Sequence, residues 1–221
     1  MRVRKKPQFL LPGAPLAFPD PNLADDEGML AIGGDLSPER LLFANEHGIF
    51  PWYDEGLPPM WWSPNPRTVL DTEHLHVSRS LKRVLRSARF SLSFDRAFRD
   101  VMIECGRERD TGTWILPEMV DAYCNLHQLG HAHSVEVWQG ERLVGGLYGV
   151  QRGALFAAES MFHRERDASK VALVTAVETM FAGGIELFDV QFLTPHLESL
   201  GAYEIPRARY LELVANATAK R

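Results

Sequence analysis

A chain of 221 residues, 45% of them hydrophobic, has enough apolar surface for one large domain or for a small domain joined to a medium one. No apolar run approaches the roughly 20 residues needed to cross a bilayer, and the basic start MRVRKK lacks the apolar segment and cleavage site of a signal peptide, so a cytoplasmic location is expected. The net charge of −5 argues against a protein that coats nucleic acid everywhere but leaves room for a local basic patch.

Residues 11–66 are rich in Pro and Gly, with the clusters LPGAPLAFPDP, GGDLSP, GLPP and SPNP. Only LSPERLLFANEHG reads as a helix there: Ser37 can cap it, Pro38 suits its first position and Gly48 stops it. A small, loop-rich N-terminal domain is expected over residues 1–66 and a second domain over 67–221. The second opens with SRSLKRVLRSARF, where Arg79, Lys82, Arg83 and Arg86 recur at helical spacing and Leu81, Val84, Leu85 and Ala88 repeat it on the other side. This predicts a helix with an apolar back and a basic front. No acidic residue lies between Glu73 and Asp95 to neutralise it, which suits a phosphate-binding face as well as a solvated helix.

A strand follows near Phe90–Phe94, then helices at about Phe98–Cys105 and Pro117–Leu129. Strands are expected at Ala132–Gln139, Leu143–Gln151 and Ala154–Glu159, then a long helix from about Ala168 to Ala182 ended by Gly183 and Gly184, with Ser169 and Lys170 as its caps. The next strand, Leu187–Leu193, reads LFDVQFL, and alternation puts Asp189 and Gln191 on one face. A carboxylate in an apolar wall costs several kcal/mol unless it is hydrogen-bonded, paired or open to a wet cleft, so the pair is either a structural polar pair or part of a site. A short helix near His196–Leu200 and the segment YLELVANATAK close the chain.

Cys105 and Cys124, without a CxxC pair, are expected as reduced thiols. His127, His131 and His133 cluster in LHQLGHAH, but no carboxylate or thiolate within that segment completes a ligand set, and no metal is expected. Strands, then a helix, then a strand, with helices against a mainly antiparallel sheet, indicate an α+β domain. The pattern resembles acyl-CoA-dependent N-acetyltransferases without their glycine loop: HRERDASKVAL has no glycine, and Glu165 and Asp167 would repel phosphates at the helix start. CoA is therefore not expected, nor any other cofactor.

Taken in order, the segments GGDLSPERLL, GIFPWY, WWSPNPR, HVSRSLKR, GTWI, LHQLGHAHSVEVW, LVGGLYGV, ESMFHR, ASKVAL, DVQ and HLESLGAYEIPR resemble the leucyl/phenylalanyl-tRNA-protein transferases from about Gly33 to Tyr210. The resemblance implies a small N-terminal domain and an acetyltransferase-like (GNAT-like) mixed-sheet domain. It also implies transfer of Leu or Phe, and Met less well, from aminoacyl-tRNA to the N-terminal α-amine of proteins beginning with Arg or Lys, which marks them for degradation. A monomer using neither metal nor cofactor is expected.

By the same resemblance Asp189 and Gln191 form the catalytic pair with Glu159 nearby. Asp189 would receive or relay the amine proton, Gln191 would orient Asp189 or hold the oxyanion, and Glu159 would recognise the cationic acceptor. Leu147, Phe156, Met161, Leu173 and Met180 would wall the aminoacyl side-chain pocket, although all five pass for core on pattern alone. Ala157 and Ala158 stand where the family commonly has a glycine, which would narrow that pocket. Trp52 and Trp114 would stack on the 3' adenosine or flank the acceptor peptide, Trp61 and Trp62 would pack between domains, and Arg79, Lys82, Arg83 and Arg86 would take the tRNA backbone. The rival readings are an acetyl-CoA-dependent enzyme and a non-enzymatic RNA-binding protein.

Overall fold

The computed structural model describes residues 6–11, 13, 15–107 and 113–220. In chain order these form β1 (Gln8–Leu10), a 3-10 turn (Pro21–Leu23), β2 (Met29–Gly33), α1 (Pro38–Glu46), β3 (Phe50–Pro51), β4 (Met60–Trp62), β5 (Arg67–Leu70) and α2 (Arg79–Arg86). They continue as β6 (Ser91–Phe94), α3 (Phe98–Arg107), α4 (Pro117–Gln128), β7 (Ala132–Gln139), β8 (Arg142–Arg152), β9 (Leu155–His163), α5 (Ala168–Ala182), β10 (Leu187–Gln191), α6 (Pro195–Glu198), β11 (Tyr203–Ile205) and α7 (Arg207–Thr218). Among them no helix is long and apolar enough to cross a membrane.

Hydroxyl caps start three of the helices: Ser37 accepts from Arg40 N, Ser78 from Leu81 N and Thr194 from Leu197 N. The long helix departs from the expectation. Its N-cap is Asp167, held at φ 71 and making no side-chain cap bond, while Ser169 and Lys170 lie inside the first turn. Ser169 is buried and lines the cavity described below.

Two sheets form. The strands between residues 8 and 62 make a four-stranded sheet in the order β1-β2-β4-β3, and those from 67 onward a seven-stranded sheet in the order β11-β5-β10-β9-β8-β7-β6. The larger sheet is antiparallel except where β10 runs parallel to β9, the two being joined through α5, which gives a mixed-sheet α+β architecture. One apolar cluster joins the smaller sheet and α1 to α3 and α4, through Ile49, Tyr53 and Trp61 against Met102, Trp114 and Met119. A second fills the space between the large sheet and α5, and a third lies under α7 around Tyr210 and Val214.

The strand next to α5 reaches His163, four residues beyond the expected end at Glu159, because Glu159 is a bulge rather than a terminus. Gly149 pairs with Ala158 and Tyr148 with Ser160, leaving Glu159 unpaired. A matching irregularity sits on β10, where Asp189 pairs with Val69 and Gln191 with Thr68, so Val190 is the extra residue. Pairing between β9 and β10 covers only Leu187–Asp189 against Leu155–Ala157. Beyond it the two strands part, and β10 stops at Gln191, short of the predicted Leu193, where the backbone turns to φ 58.

Gly149 permits this geometry. A Cβ there would stand 2.3 Å from Ala157 O and 2.6 Å from the Phe156 ring. Gly149→Ala is expected to lower the unfolding free energy by about 2 kcal/mol, the cost of overpacking a filled interior, read as a lower urea midpoint with an unchanged slope.

Candidate active site

The parting of β9 and β10 leaves a cavity of about 590 Å³. One wall is the end of β9, with Glu159, Ser160 and Met161, and a second is the run Val190, Gln191 and Phe192. Phe50 and Trp52 from beside the smaller sheet and Trp114 from before α4 complete an aromatic rim.

Asp189 is fully buried and lies behind this wall. Arg67 Nε donates to its Oδ1 at 2.8 Å and Nη2 to its Oδ2 at 2.5 Å; the Tyr210 hydroxyl donates to Oδ2 at 2.8 Å and the Gln191 amide N–H to Oδ1 at 3.0 Å. A buried carboxylate needs such a set of donors. Arg67 is 2% exposed, and its third contact is Nη1 to Gly48 O at 3.2 Å, while its guanidinium lies over the rings of Phe50 and Tyr210 at 4.7 and 4.5 Å. Burial works against the Arg67 charge, but the Asp189 carboxylate overrides it and raises the guanidinium pKa. The ion pair joins β5, β10, α7 and the turn after α1.

This arrangement corrects the alternation expected along β10. The bulge at Val190 and the left-handed turn at Gln191 bring three consecutive residues onto the cavity wall, so Asp189 and Gln191 do not present side chains to one face. They are linked through the Gln191 backbone N–H. The Gln191 side chain is 7% exposed, and its Nε2 has no hydrogen-bond partner among the described residues.

Glu159 behaves differently from Asp189. The residue keeps some exposed surface on the cavity wall, yet its carboxyl is enclosed. Burial, then the nearby Asp189 charge, push its pKa up to about 8 from an ordinary 4.5, against the opposing pull of Arg67 and a hydrogen bond from Tyr123. The Tyr123 hydroxyl, itself buried, is raised well above its usual range by burial first and by Glu159 next.

Of the five expected pocket residues only Met161 lines the cavity. Leu147, Phe156 and Leu173 are 1%, 0% and 0% exposed and, with the partly buried Met180, belong to the apolar cluster that also holds Met161, Val190 and Leu197. The sheet packs closely on the start of α5, where a Cβ on Gly145 would meet that of Ala168 at 2.6 Å. Trp52 (39% exposed) and Trp114 (9%) both line the cavity. Trp61 and Trp62 are buried in β4, their Nε1 groups donating to Gly33 O at 2.8 Å and Trp52 O at 2.6 Å.

Arg79, Lys82, Arg83 and Arg86 stand exposed on α2, and none makes an ion pair with a described residue; Leu81 is buried, with Val84 and Leu85 packed behind it, and α2 rests on α5. The carboxylate lacking in LHQLGHAH is supplied from outside that segment by Asp95. His133 Nδ1 lies 2.8 Å from Asp95 Oδ2, whereas His127 Nδ1 faces Ala132 O at 2.8 Å and its ring stacks on Phe98. Among the described residues no group of three His, Cys, Asp or Glu could hold a metal ion.

Sequence reasoning did not select Arg67, Tyr210, Tyr123, Phe50 or Phe192. Arg67 and Tyr210 stand in or beside the family-like segments, but nothing local distinguishes a buried arginine from a surface one.

Residues 69–215 match the family model described as leucyl/phenylalanyl-tRNA protein transferase, and residues 34–65 match the model of that family's N-terminal domain. A leucyl/phenylalanyl-tRNA-protein transferase from Anaeromyxobacter sp. (strain Fw109-5) is 56% identical over 205 residues, 91% of this chain and 87% of the relative. One from Syntrophobacter fumaroxidans is 57% identical over 203 residues (90% and 87%), and one from Citrobacter koseri 49% identical over 208 residues (93% and 89%). A solved GCN5-related N-acetyltransferase-like protein from Streptococcus suis aligns over 72% of this chain and 59% of its own, at 13% identity and a TM-score of 0.38.

The two carboxylates are expected to respond differently to substitution. Asp189→Asn leaves the buried Arg67 charge unmatched and should cost about 3 to 5 kcal/mol in chemical denaturation, whereas Arg67→Met with Asp189→Leu should recover most of it. Glu159 has a folded-state pKa above its unfolded one, so its contribution to stability is present below about pH 4.5 and is lost as pH rises through about 8. Within that window wild type should lose up to about 1.4 kcal/mol per pH unit relative to Glu159→Gln. The gap in melting temperature between the two should therefore widen from pH 5 to pH 8.

Proposed function

The chain belongs to the leucyl/phenylalanyl-tRNA protein transferase family, and we propose on that premise that it moves Leu or Phe, and Met less well, from aminoacyl-tRNA to the N-terminal α-amine of proteins beginning with Arg or Lys, marking them for degradation. The observation that carries this reading is the cavity between the parted strands, which has an enclosed acid, Glu159, and an unpartnered amide, Gln191, on its walls and an aromatic rim at its mouth. Residues 1–66 and 67–221 are read as its two domains, and the protein as a cytoplasmic monomer that needs no cofactor.

The chemistry is ester aminolysis. An α-amine with a pKa near 7.7 to 8.0 is largely protonated at neutral pH and loses a proton on attacking the ester carbonyl. Glu159 is mostly neutral in the empty cavity, but a cationic amine beside it favours the carboxylate. That carboxylate holds the acceptor and takes the amine proton. Gln191 Nε2 donates to the carbonyl oxygen as it becomes an oxyanion, and the ribose 3' oxygen departs and is protonated. Asp189, with every donor around it engaged, serves as an electrostatic anchor that fixes the Gln191 backbone rather than as the base. Holding amine and ester in line supplies the larger share, about 7 to 11 kcal/mol, against roughly 10² to 10⁴-fold for the base.

Trp52 and Trp114 take the 3' adenosine or flank the acceptor peptide. The aminoacyl side chain lies against Met161, Val190 and Leu197, with Leu147, Phe156, Leu173 and Met180 backing that wall and Ala157 and Ala158 limiting its depth. The basic face of α2 takes the tRNA backbone by charge and shape.

Labelled leucine should pass from Leu-tRNA to a peptide beginning with Arg, and neither to the same peptide N-acetylated nor from acetyl-CoA; transfer to the blocked peptide would refute the reading. Gln191→Ala should lower kcat by about 10² to 10³ with Leu-tRNA binding retained. Replacing Arg79, Lys82, Arg83 and Arg86 by Gln should flatten the salt dependence of tRNA binding, by about 0.7 to 0.9 in the log-log slope for each phosphate no longer neutralised; an unchanged slope would reject the α2 assignment.

A further inference from the structure

The two tryptophans of the cavity come from segments 62 positions apart in the chain. Trp52 is held by its own sheet: its N–H donates to Met60 O at 2.8 Å, its carbonyl accepts from Trp62 Nε1 at 2.6 Å, and its ring meets those of Trp62 and Phe192 at 5.7 and 5.6 Å. Trp114 stands on irregular backbone before α4, whose N-cap residue, Leu116, makes no side-chain cap bond. Tyr53, next to Trp52, and Glu118, in the first turn of α4, meet. Tyr53, 3% exposed, donates its hydroxyl to Glu118 Oε1 at 2.5 Å, and packs in the same apolar cluster as Trp114, Ile115 and Met119.

We propose that Tyr53 and Glu118 are positioning residues that set the separation of Trp52 and Trp114, and so the width of the slot that takes the flat terminal base of aminoacyl-tRNA. This rests on the reading that the tryptophans hold that base. The hydrogen bond is short, charge-assisted and half-shielded from water, which makes it directional enough to fix one segment against the other. Burial first, and the Glu118 carboxylate next, keep the Tyr53 proton on its oxygen, so the bond persists across the working pH range. A simpler role for Glu118, complementing the N-terminal dipole of α4, needs no Tyr53 and would affect the stability of the helix rather than the slot.

The test is leucine transfer from Leu-tRNA to a peptide beginning with Arg, with each substrate varied in turn, for Tyr53→Phe, Glu118→Ala, Glu118→Gln and the double variant Tyr53→Phe/Glu118→Ala. Loss of the bond should raise KM for Leu-tRNA about fivefold, the equivalent of about 1 kcal/mol, with kcat and the peptide KM within twofold of wild type. Glu118→Gln, whose amide oxygen still accepts, should stay within twofold throughout. The double variant should be no worse than either single one, because both remove the same bond. An unchanged KM in Tyr53→Phe, or Glu118→Gln as impaired as Glu118→Ala, would overturn the proposal. Failure of wild type to transfer would instead overturn the transferase reading. Titration of tryptophan fluorescence with leucyl-adenosine then still decides the positioning role: Kd should rise about fivefold in Tyr53→Phe, and an equal Kd would refute it.

Discussion

A single buried ion pair organises the molecule. Arg67 and Asp189 are both out of water, where either charge alone would cost several kcal/mol. Each is therefore obliged to satisfy the other and to recruit what is left over. Arg67 takes Gly48 O and two aromatic faces, and Asp189 takes the Tyr210 hydroxyl and the Gln191 N–H. The last bond has a mechanical result: a strand whose amide is drawn toward its own carboxylate two residues back cannot keep pairing with β9. The bulge, the left-handed Gln191 and the cavity between the strands follow from where that carboxylate must find its donors.

Two acids thus share one region with opposite fates. Asp189 has a guanidinium and a hydroxyl as partners and lies behind the cavity wall. Glu159 has burial and a like charge nearby, offset only in part by Arg67 and Tyr123, and it meets the cavity. One acid is thus enclosed by donors behind the wall while the other faces the cavity. The bulge at Glu159 belongs to the same logic, since an extra residue in β9 turns a side chain that regular pairing would have directed elsewhere.

Local signals in the sequence are followed closely where local forces decide. The cap at Ser37, the glycine stops and the 3.6-residue spacing of Leu81, Val84 and Leu85 produce helices at the expected places. The order of strands around α5 holds for the same reason. Alternation fails at Asp189 and Gln191 because a bulge is a pairing event between distant strands, and β5, which fixes that register, lies about 120 positions away. Arg67 and Tyr210 are invisible on the same ground. The apolar pocket residues could not be sorted into wall and core, since Leu147 and Met161 carry the same hydrophobic signal whether or not space lies beside them. Resemblance to a family points to Asp189 and Glu159, but not to the reason why one of them is held away from the cavity.

The long reach of that ion pair bears on when the site comes into being. Arg67 and Asp189 are separated by 122 positions, and the hydroxyl that completes the Asp189 shell lies further on, at Tyr210. Closing so large a loop costs conformational entropy before any contact repays it. During synthesis, which proceeds from the N-terminus, the smaller sheet and the hairpins from β6 to β9 can form early, while β5 waits for its neighbour β10. A ribosome-bound chain that has not yet released α7 therefore lacks the Tyr210 hydroxyl that completes the Asp189 shell. The surroundings of Asp189 are complete only once the last helix of the fold is in place.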